Sequence, residues 1–143
     1  MNAENLDFGD QMITEDLQLE NLHGQKIRIY TFHDTRRETW EAWYGFAAKV
    51  VEAQPDGTHR FMQDFSNRRT AFTPATRGLA VEFSRKYGRI SGYAAIVLQG
   101  TAFSRISKFF IEREVRRLYP NQEFRIFYDR DEGIAWLKST LEG

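Results

Sequence analysis

The chain has 143 residues, 41% of them hydrophobic, and its twenty Lys and Arg residues balance twenty Asp and Glu residues. A chain of this length suits one domain with a sizeable buried core. Cysteine is absent, which excludes disulfides, thiolate catalysis and cysteine-based zinc sites and is typical of a reducing compartment. Residues 1–11 lack a signal-peptide pattern, and no segment approaches the ~18 apolar residues of a membrane span. We therefore expect a soluble, cytoplasmic protein.

Charge is distributed unevenly along the chain. Six acidic residues and no Lys or Arg precede Lys26, whereas residues 60–117 contain twelve basic and four acidic residues, a local net charge of +8. We divide the chain into an acidic N-terminal arm (residues 1–22), which can include a first strand, and a domain formed by residues 23–143. The arm would cover a basic face of this domain, or that face would meet an anionic partner. Ordinary solvated helix faces explain the same pattern and are the interpretation that we favour.

The first elements are predicted from the spacing of apolar residues. Residues 11–21 allow a short strand, and a second strand is predicted for residues 26–31 because Ile27 and Ile29 alternate with polar neighbours. A helix is predicted for residues 36–53. Its apolar stripe comprises Trp40, Trp43, Tyr44, Ala47, Val50 and Val51. We interpret this stripe as core packing; an aromatic cage for a ligand is the alternative.

A central strand, residues 60–65, is followed by a polar loop (residues 66–72) and a helix start. Thr73 is a favoured N-cap residue and Pro74 suits the first helical position, so a helix is predicted for residues 74–87. Where a strand passes the chain directly to a helix, hydroxyl groups, a carboxylate and free N–H groups meet at the carboxyl edge of the sheet. Open α/β folds place their sites at this edge, which is therefore the predicted working edge.

The next strand and helix are richly apolar. Residues 93–98 form the most continuous apolar run of the chain, typical of a strand covered on both faces. The small side chains of Ala94 and Ala95 would admit close helix packing. A helix is predicted for residues 102–118, and its apolar face is so wide that Phe109 is expected to be exposed. An exposed aromatic residue of this kind suggests a partner surface or a homodimer.

The chain closes with one more strand and helix. A strand is predicted for residues 123–128, and Asp129 and Glu132 have the spacing of a capping box at the start of the last helix. Strands that alternate with helices in this way indicate βαβ units. We predict a single α/β domain with a mostly parallel sheet, an N-terminal hairpin strand and four helices.

Two short motifs connect this order of elements to a known family. Asp64-Phe65-Ser66 ends the central strand, and residues 127–137 read Phe-Tyr-Asp-Arg-Asp-Glu-Gly-Ile-Ala-Trp-Leu. The first is similar to the Asp-Leu-Ser of the STAS-like domains, the fold of bacterial anti-sigma-factor antagonists. The second is similar to the ending of their SpoIIAA-like branch, which is often described alongside lipid-binding CRAL-TRIO domains. The resemblance covers about residues 27–141.

The resemblance implies a switch at the helix after the central strand. In antagonists of this family a serine or threonine there is phosphorylated, which switches partner binding. The phosphoacceptor or partner-binding candidates in this chain are Asp64, Ser66, Thr73 and Thr76. The family's Asp-Ser-x-Gly is replaced by Phe-Thr-Pro-Ala at residues 72–75. A phosphate at a helix N-terminus is favoured by the helix dipole; the alternative is that Thr73 only caps the helix.

Basic residues near this helix start are predicted anion contacts. Arg68, Arg69 and Arg77 lie close to it in sequence, and Thr101 begins another helix whose free N–H groups can meet an anion. Asp64 could hold a cation or orient a base, but a carboxylate at a strand end more often accepts hydrogen bonds from loop N–H groups.

Catalytic signatures are missing from the sequence. It contains no Gly-x-Ser-x-Gly, Walker loop or Gly-x-Gly-x-x-Gly, and no nucleophile–base pair is recognisable. His23, His33 and His59 lack metal-ligand spacing and are expected at the surface or in turns. We therefore expect no catalytic residues, metal or cofactor. The basic residues of helix 102–118 spread over several faces, so no nucleic-acid partner is expected.

Two functional hypotheses follow. The first is a non-enzymatic regulatory module of STAS-like type that binds a protein partner and is phospho-switched at residues 66–76. The second is a carrier of a small apolar or lipid-like ligand, held between the sheet and the aromatic-rich helices. It depends on a surplus of large apolar residues, notably Phe103, Phe109, Phe110 and Trp136.

Overall fold

The structure of the protein is a computed structural model that describes residues 7–71 and 74–142, without the side chains of residues 74, 75, 102–107 and 110. Strands and helices form a single α/β domain, as predicted. The elements are β1 (Gln11–Thr14), β2 (Leu17–Leu22), β3 (Ile27–Phe32), α1 (Arg37–Ala53), β4 (Thr58–Asp64), α2 (Pro74–Tyr87), β5 (Ser91–Val97), α3 (Ala102–Leu118), β6 (Gln122–Phe127) and α4 (Arg130–Glu142).

The six strands lie in chain order in one sheet. β1, β2 and β3 pair antiparallel, and β3, β4, β5 and β6 pair parallel. The predicted mostly parallel sheet with an N-terminal hairpin and four helices is therefore confirmed. The carboxyl ends of the four parallel strands meet at one edge, which is the edge that the sequence indicated as the working edge.

The N-terminal hairpin differs from the prediction. Residues 11–21, predicted as one short strand, form β1 and β2 with a tight turn between them. The Asp16 N–H donates to the Thr14 hydroxyl at 3.1 Å, a local side-chain turn that competes with a continuous strand. The pairing also shifts register between Met12 and Thr14. This places one additional strand at the edge of the sheet.

Three helices share one face of the sheet. Because the parallel strands lie in chain order, right-handed crossovers put α1, α2 and α3 on the same side. The α1 stripe packs into this layer, with Trp40 and Trp43 only 4% and 6% exposed. The rings of Phe32 and Phe65 lie 5.1 and 5.6 Å from that of Trp40. The stripe is therefore core, as we interpreted it.

The last helix covers the opposite face. Leu137 of α4 is fully buried against a layer that includes Ile29, Met62 and Ala95. The Asp131 N–H donates to the Asp129 carboxylate at 3.3 Å, which is the aspartate half of the predicted cap. α4 thus begins at the carboxyl edge of the sheet and runs back beneath it.

The three-helix layer is not filled evenly. α2 packs chiefly on α1, and α3 packs chiefly on β6, so the part of β4 and β5 between them is left partly uncovered. We expected Ala94 and Ala95 to admit close helix packing on both faces. Ala95 is fully buried beneath α4, whereas Ala94, which is 3% exposed, lines the open space between the sheet, α2 and α3.

Candidate functional site

Asp64 ends β4 at the predicted working edge and is 3% exposed. One carboxylate oxygen accepts the Ser66 N–H at 2.9 Å, as expected of a carboxylate at a strand end. The other accepts a hydrogen bond from Arg130 Nη1, also at 2.9 Å. Both oxygens therefore have partners within the fold.

Arg130, the first residue of α4, joins four elements and was not recognised from the sequence. Its guanidinium also donates to the Thr31 hydroxyl at 2.9 Å and to Glu20 at 3.0 Å. It thereby ties β2, β3 and β4 to the start of α4. Its partners are 66 to 110 residues away along the chain, and no local pattern signals such a contact.

The loop after β4 is held by its own hydroxyl and amide groups. The buried Thr70 hydroxyl donates to the Phe65 carbonyl at 2.6 Å. The side-chain amide of Gln99, beyond the end of β5, donates to the Asn67 carbonyl at 3.0 Å. The Ala71 N–H donates to the Thr35 hydroxyl at 2.7 Å. These bonds fix the loop against the segments that follow β3 and β5.

The predicted phosphoacceptors have different surroundings. Ser66 is exposed. Thr76 is 3% exposed, so its hydroxyl is covered by the fold. Thr73 lies outside the described residues. Of the hydroxyls predicted as acceptors in the described part of the chain, that of Ser66 is the one at the surface.

The predicted anion contacts are not all directed at this loop. Arg68 and Arg69 are exposed beside Ser66, and Arg69 lies 3.6 Å from Asp16 of the β1–β2 turn. The guanidinium of Arg77 instead donates to Glu114 of α3 at 2.9 Å. Thr101 is exposed directly before α3. The loop and the α2–α3 layer therefore form two separate basic regions.

Part of the acidic N-terminal arm contacts basic residues of the domain. Asp16 accepts a hydrogen bond from Arg36 at 2.8 Å and also lies near Arg69. Glu20 accepts one from Arg130. Of these three arginines only Arg69 belongs to the basic stretch of residues 60–117, and Asp16 and Glu20 belong to the sheet hairpin itself.

His59 was expected at the surface, but it is 6% exposed. It lies at the amino end of β4, and its Nε2 is 2.9 Å from the Gln54 carbonyl, which can only accept, so this nitrogen carries the proton. Burial lowers the pKa of His59, so the ring is neutral at physiological pH. His59 was expected at the surface because it follows a turn. In the structure, the packing of β4 beneath α1 covers its side chain.

A cavity of about 1040 Å³, partly open to solvent, lies between the sheet and the helices α2 and α3. Its floor includes Phe61, Ala94 and Ile96 of β4 and β5. Trp40 and Trp43 of α1 close one side. Further apolar walls come from Phe83 of α2 and from Ile111, Val115 and Leu118 of α3. The cavity is therefore lined mainly by aromatic and aliphatic side chains.

Polar groups of the cavity lie at its mouth and among its buried walls. Arg77, Glu82 and Arg85 of α2 and Glu114 of α3 line the mouth. Hydrogen bonds from Arg117 and Arg77 lower the pKa of Glu114, so it is charged at neutral pH.

Three residues that line the cavity have unsatisfied donors. In the part of the chain that the structure describes, the indole N–H groups of Trp40 and Trp43 and the side-chain amide nitrogen of Gln122 are buried without an acceptor. Unpaired buried donors of this kind are rare in folded proteins. Within the described residues, the hydrogen bonding of this layer is therefore incomplete.

Among the described residues, no group of three or more His, Asp and Glu side chains is arranged to hold a metal ion. None of the helices described is both long and apolar enough to cross a membrane.

Comparison with known proteins does not assign the site. A scan against protein-family models, a search of curated proteins and a search of solved structures each found no match to this chain.

Proposed function

We propose that this protein binds a small amphipathic ligand in the cavity between the sheet and the helices α2 and α3. The observation that carries the proposal is a partly open cavity of about 1040 Å³ with mainly apolar walls. Ligand pockets in proteins are typically about 300–1,000 Å³ and are lined mostly by hydrophobic and aromatic side chains with few polar groups. This cavity has that size and that composition.

A ligand would also supply contacts that the layer lacks. Protein interiors are close-packed, and atoms that line an empty space lose dispersion contacts with partners. An apolar chain in the cavity would bury surface against Phe61, Phe83 and Ile96, at about 25 cal/mol for each Å² of apolar surface removed from water. Occupation should therefore stabilise the fold.

The test is to purify the protein from its own host without detergent and compare native with denaturing mass spectra. A bound ligand appears as a mass difference that denaturation removes, and solvent extraction then identifies it. In parallel, Nile red titration reports whether the emptied cavity takes an apolar molecule. The double variant Ala94→Phe/Val115→Trp, which adds bulk to the floor and one wall, should abolish Nile red binding.

The matched control is Met12→Trp, which adds a similar bulk on β1, where Met12 is 50% exposed and outside the cavity. It should bind Nile red like the unaltered protein. Absence of both a native ligand and saturable Nile red binding would refute the proposal.

As a second candidate function, we propose a STAS-like regulatory module, in line with the family resemblance of the sequence. The observation that favours it is the exposed Ser66 beside Arg68 and Arg69. A phosphate on Ser66 would compete with Asp16 for Arg69, since phosphate carries more charge and more acceptor oxygens than a carboxylate. The loop would then expose a different charge pattern to a protein partner.

Peptide mapping across residues 60–77 tests whether Ser66 is phosphorylated in the native host. Ser66→Glu should change binding to partners recovered from that host. Ser91→Glu, which introduces the same charge at the exposed amino end of β5, should not. An unmodified Ser66, with equal partner binding by both variants, would end this hypothesis.

A further inference from the structure

A cluster of three charged residues lies at the mouth of the cavity. Glu114 of α3 accepts one hydrogen bond from Arg77 of α2 and a second, at its other oxygen, from Arg117, each at 2.9 Å. Arg77 and Glu114 both line the cavity. The contact between Arg77 and Glu114 therefore joins α2 to α3 at the place where a ligand would enter.

The charge of this group is unbalanced. Two guanidinium groups share one carboxylate, so the cluster of Arg77, Glu114 and Arg117 carries one net positive charge. The charges of the four residues that line the mouth, Arg77, Glu82, Arg85 and Glu114, balance, and the extra positive charge comes from Arg117, which lies beside the mouth on α3. An apolar cavity whose entrance keeps a spare cation is complementary to an amphipathic anion rather than to a neutral lipid.

Because Arg117 also pairs with Glu114, Arg77 can exchange Glu114 for another anion. Arg117 lies one turn from Glu114 on the same helix, so Glu114 remains paired when Arg77 leaves it. The Arg77 side chain is 66% exposed, and exposed ion pairs contribute little to stability. A ligand carboxylate can therefore replace Glu114 on Arg77 without leaving a charge unpaired.

We propose that the ligand is a long-chain carboxylate whose head group binds Arg77 in place of Glu114 while its apolar chain occupies the cavity. This rests on the proposed ligand-binding function and adds the chemical class of the ligand. Carboxylate matches the fork of a single guanidinium group through two parallel hydrogen bonds. Its arrival would break the hydrogen bond between Arg77 of α2 and Glu114 of α3.

The experiment titrates protein loaded with Nile red with hexadecanoic acid and, in parallel, with hexadecanol, which has the same chain length and an uncharged head. The acid should displace the dye at a concentration about two- to fivefold below that of the alcohol, the difference expected for an ion pair with an exposed side chain. Arg77→Gln should remove this preference by weakening only the acid. Glu114→Gln should strengthen the acid and leave the alcohol unchanged.

Arg37→Gln is the matched control, because Arg37 is an exposed arginine paired with Glu41 on α1 and lies outside the cavity. It should keep the preference. Thermal unfolding of each variant checks its fold, and Glu114→Gln tests the exchange independently of Arg77→Gln.

The outcomes separate the two proposals. Equal binding of acid and alcohol by the unaltered protein, or an equal loss of both in Arg77→Gln, overturns the carboxylate assignment and leaves the binding function standing. Failure of the protein to bind Nile red, acid or alcohol overturns the binding function and this inference with it.

Discussion

Ala94 and Ala95 are consecutive residues of β5, and their side chains meet opposite environments. Ala94 lies on the floor of the cavity, whereas Ala95 is fully buried in the layer beneath α4. Successive residues of a strand face opposite sides of the sheet. Substitutions at these two neighbouring residues therefore allow a comparison of the partly open layer under α2 and α3 with the dense layer beneath α4.

The substitutions Ala94→Phe and Ala95→Phe should have very different effects. A larger side chain at Ala94 has space to enter, so the free energy of unfolding should change by less than about 1 kcal/mol. The same change at Ala95 forces apart close-packed atoms and should lower the free energy of unfolding by about 1–3 kcal/mol or more. Urea denaturation of both variants measures the difference; comparable losses would show that the cavity is closed in solution.

Arg130→Gln should destabilise the fold by about 2–3 kcal/mol. The substitution removes the guanidinium group that pairs with Asp64, whose side chain is 4% exposed, and leaves that carboxylate buried without its partner. Chemical denaturation measures the loss.

Two comparisons make the Arg130 prediction specific. Arg37→Gln breaks the exposed pair with Glu41 and should cost less than about 1 kcal/mol. Adding Asp64→Asn to Arg130→Gln should recover part of the stability, because the carboxylate that lost its partner is then neutral. Strict additivity of the two changes would contradict a direct pair.

The protein should lose stability at alkaline pH. Burial, together with a hydrogen bond to Glu52, raises the pKa of Tyr87 from 10.0 to about 12. Burial also raises the pKa of Tyr30 and that of Tyr119. These phenols stay neutral in the folded chain while the unfolded chain ionises, so stability is complete below about pH 10 and falls as the pH rises above it.

Tyrosinate absorbance and the unfolding midpoint, followed together from pH 9 to 12, test the alkaline prediction. Tyr87→Phe should make the decline shallower, because one of the shifted groups is removed. A midpoint that does not change between about pH 10 and 12, or a variant with the same slope, would contradict the assignment.

Gly92→Ala should lower the free energy of unfolding by at least about 2 kcal/mol. Gly92 has a φ of +146°, and an added Cβ would lie 1.8 Å from the His59 carbonyl oxygen, which the strand pairing does not allow. Gly45→Ala is the control: it lies on the exposed face of α1 with no atom near an added Cβ. That change should stabilise the helix by about 0.5–1 kcal/mol. Thermal or urea unfolding distinguishes the two.

Much of the fold was predictable because the signals are local. Alternation at Ile27 and Ile29, the stripe that includes Trp40 and Trp43, and the cap at Asp129 each involve residues a few positions apart. The bond between Asp64 and the Ser66 N–H is equally local and was expected. The split of residues 11–21 into two strands was not predicted, since a hydroxyl at Thr14 competes with strand pairing only where the backbone already turns.

The amino-acid sequence by itself determined the helices and the strands from β3 onward, that the sheet is mostly parallel, and which edge collects its strand ends, because apolar period and capping chemistry act within a turn or two. Only the tertiary structure decided that Arg130 pairs with Asp64, that His59 is buried, and that a cavity opens above Ala94. These depend on how distant elements are spaced across the sheet. A cavity is a shortfall of packing between whole helices, which no single segment of the chain encodes.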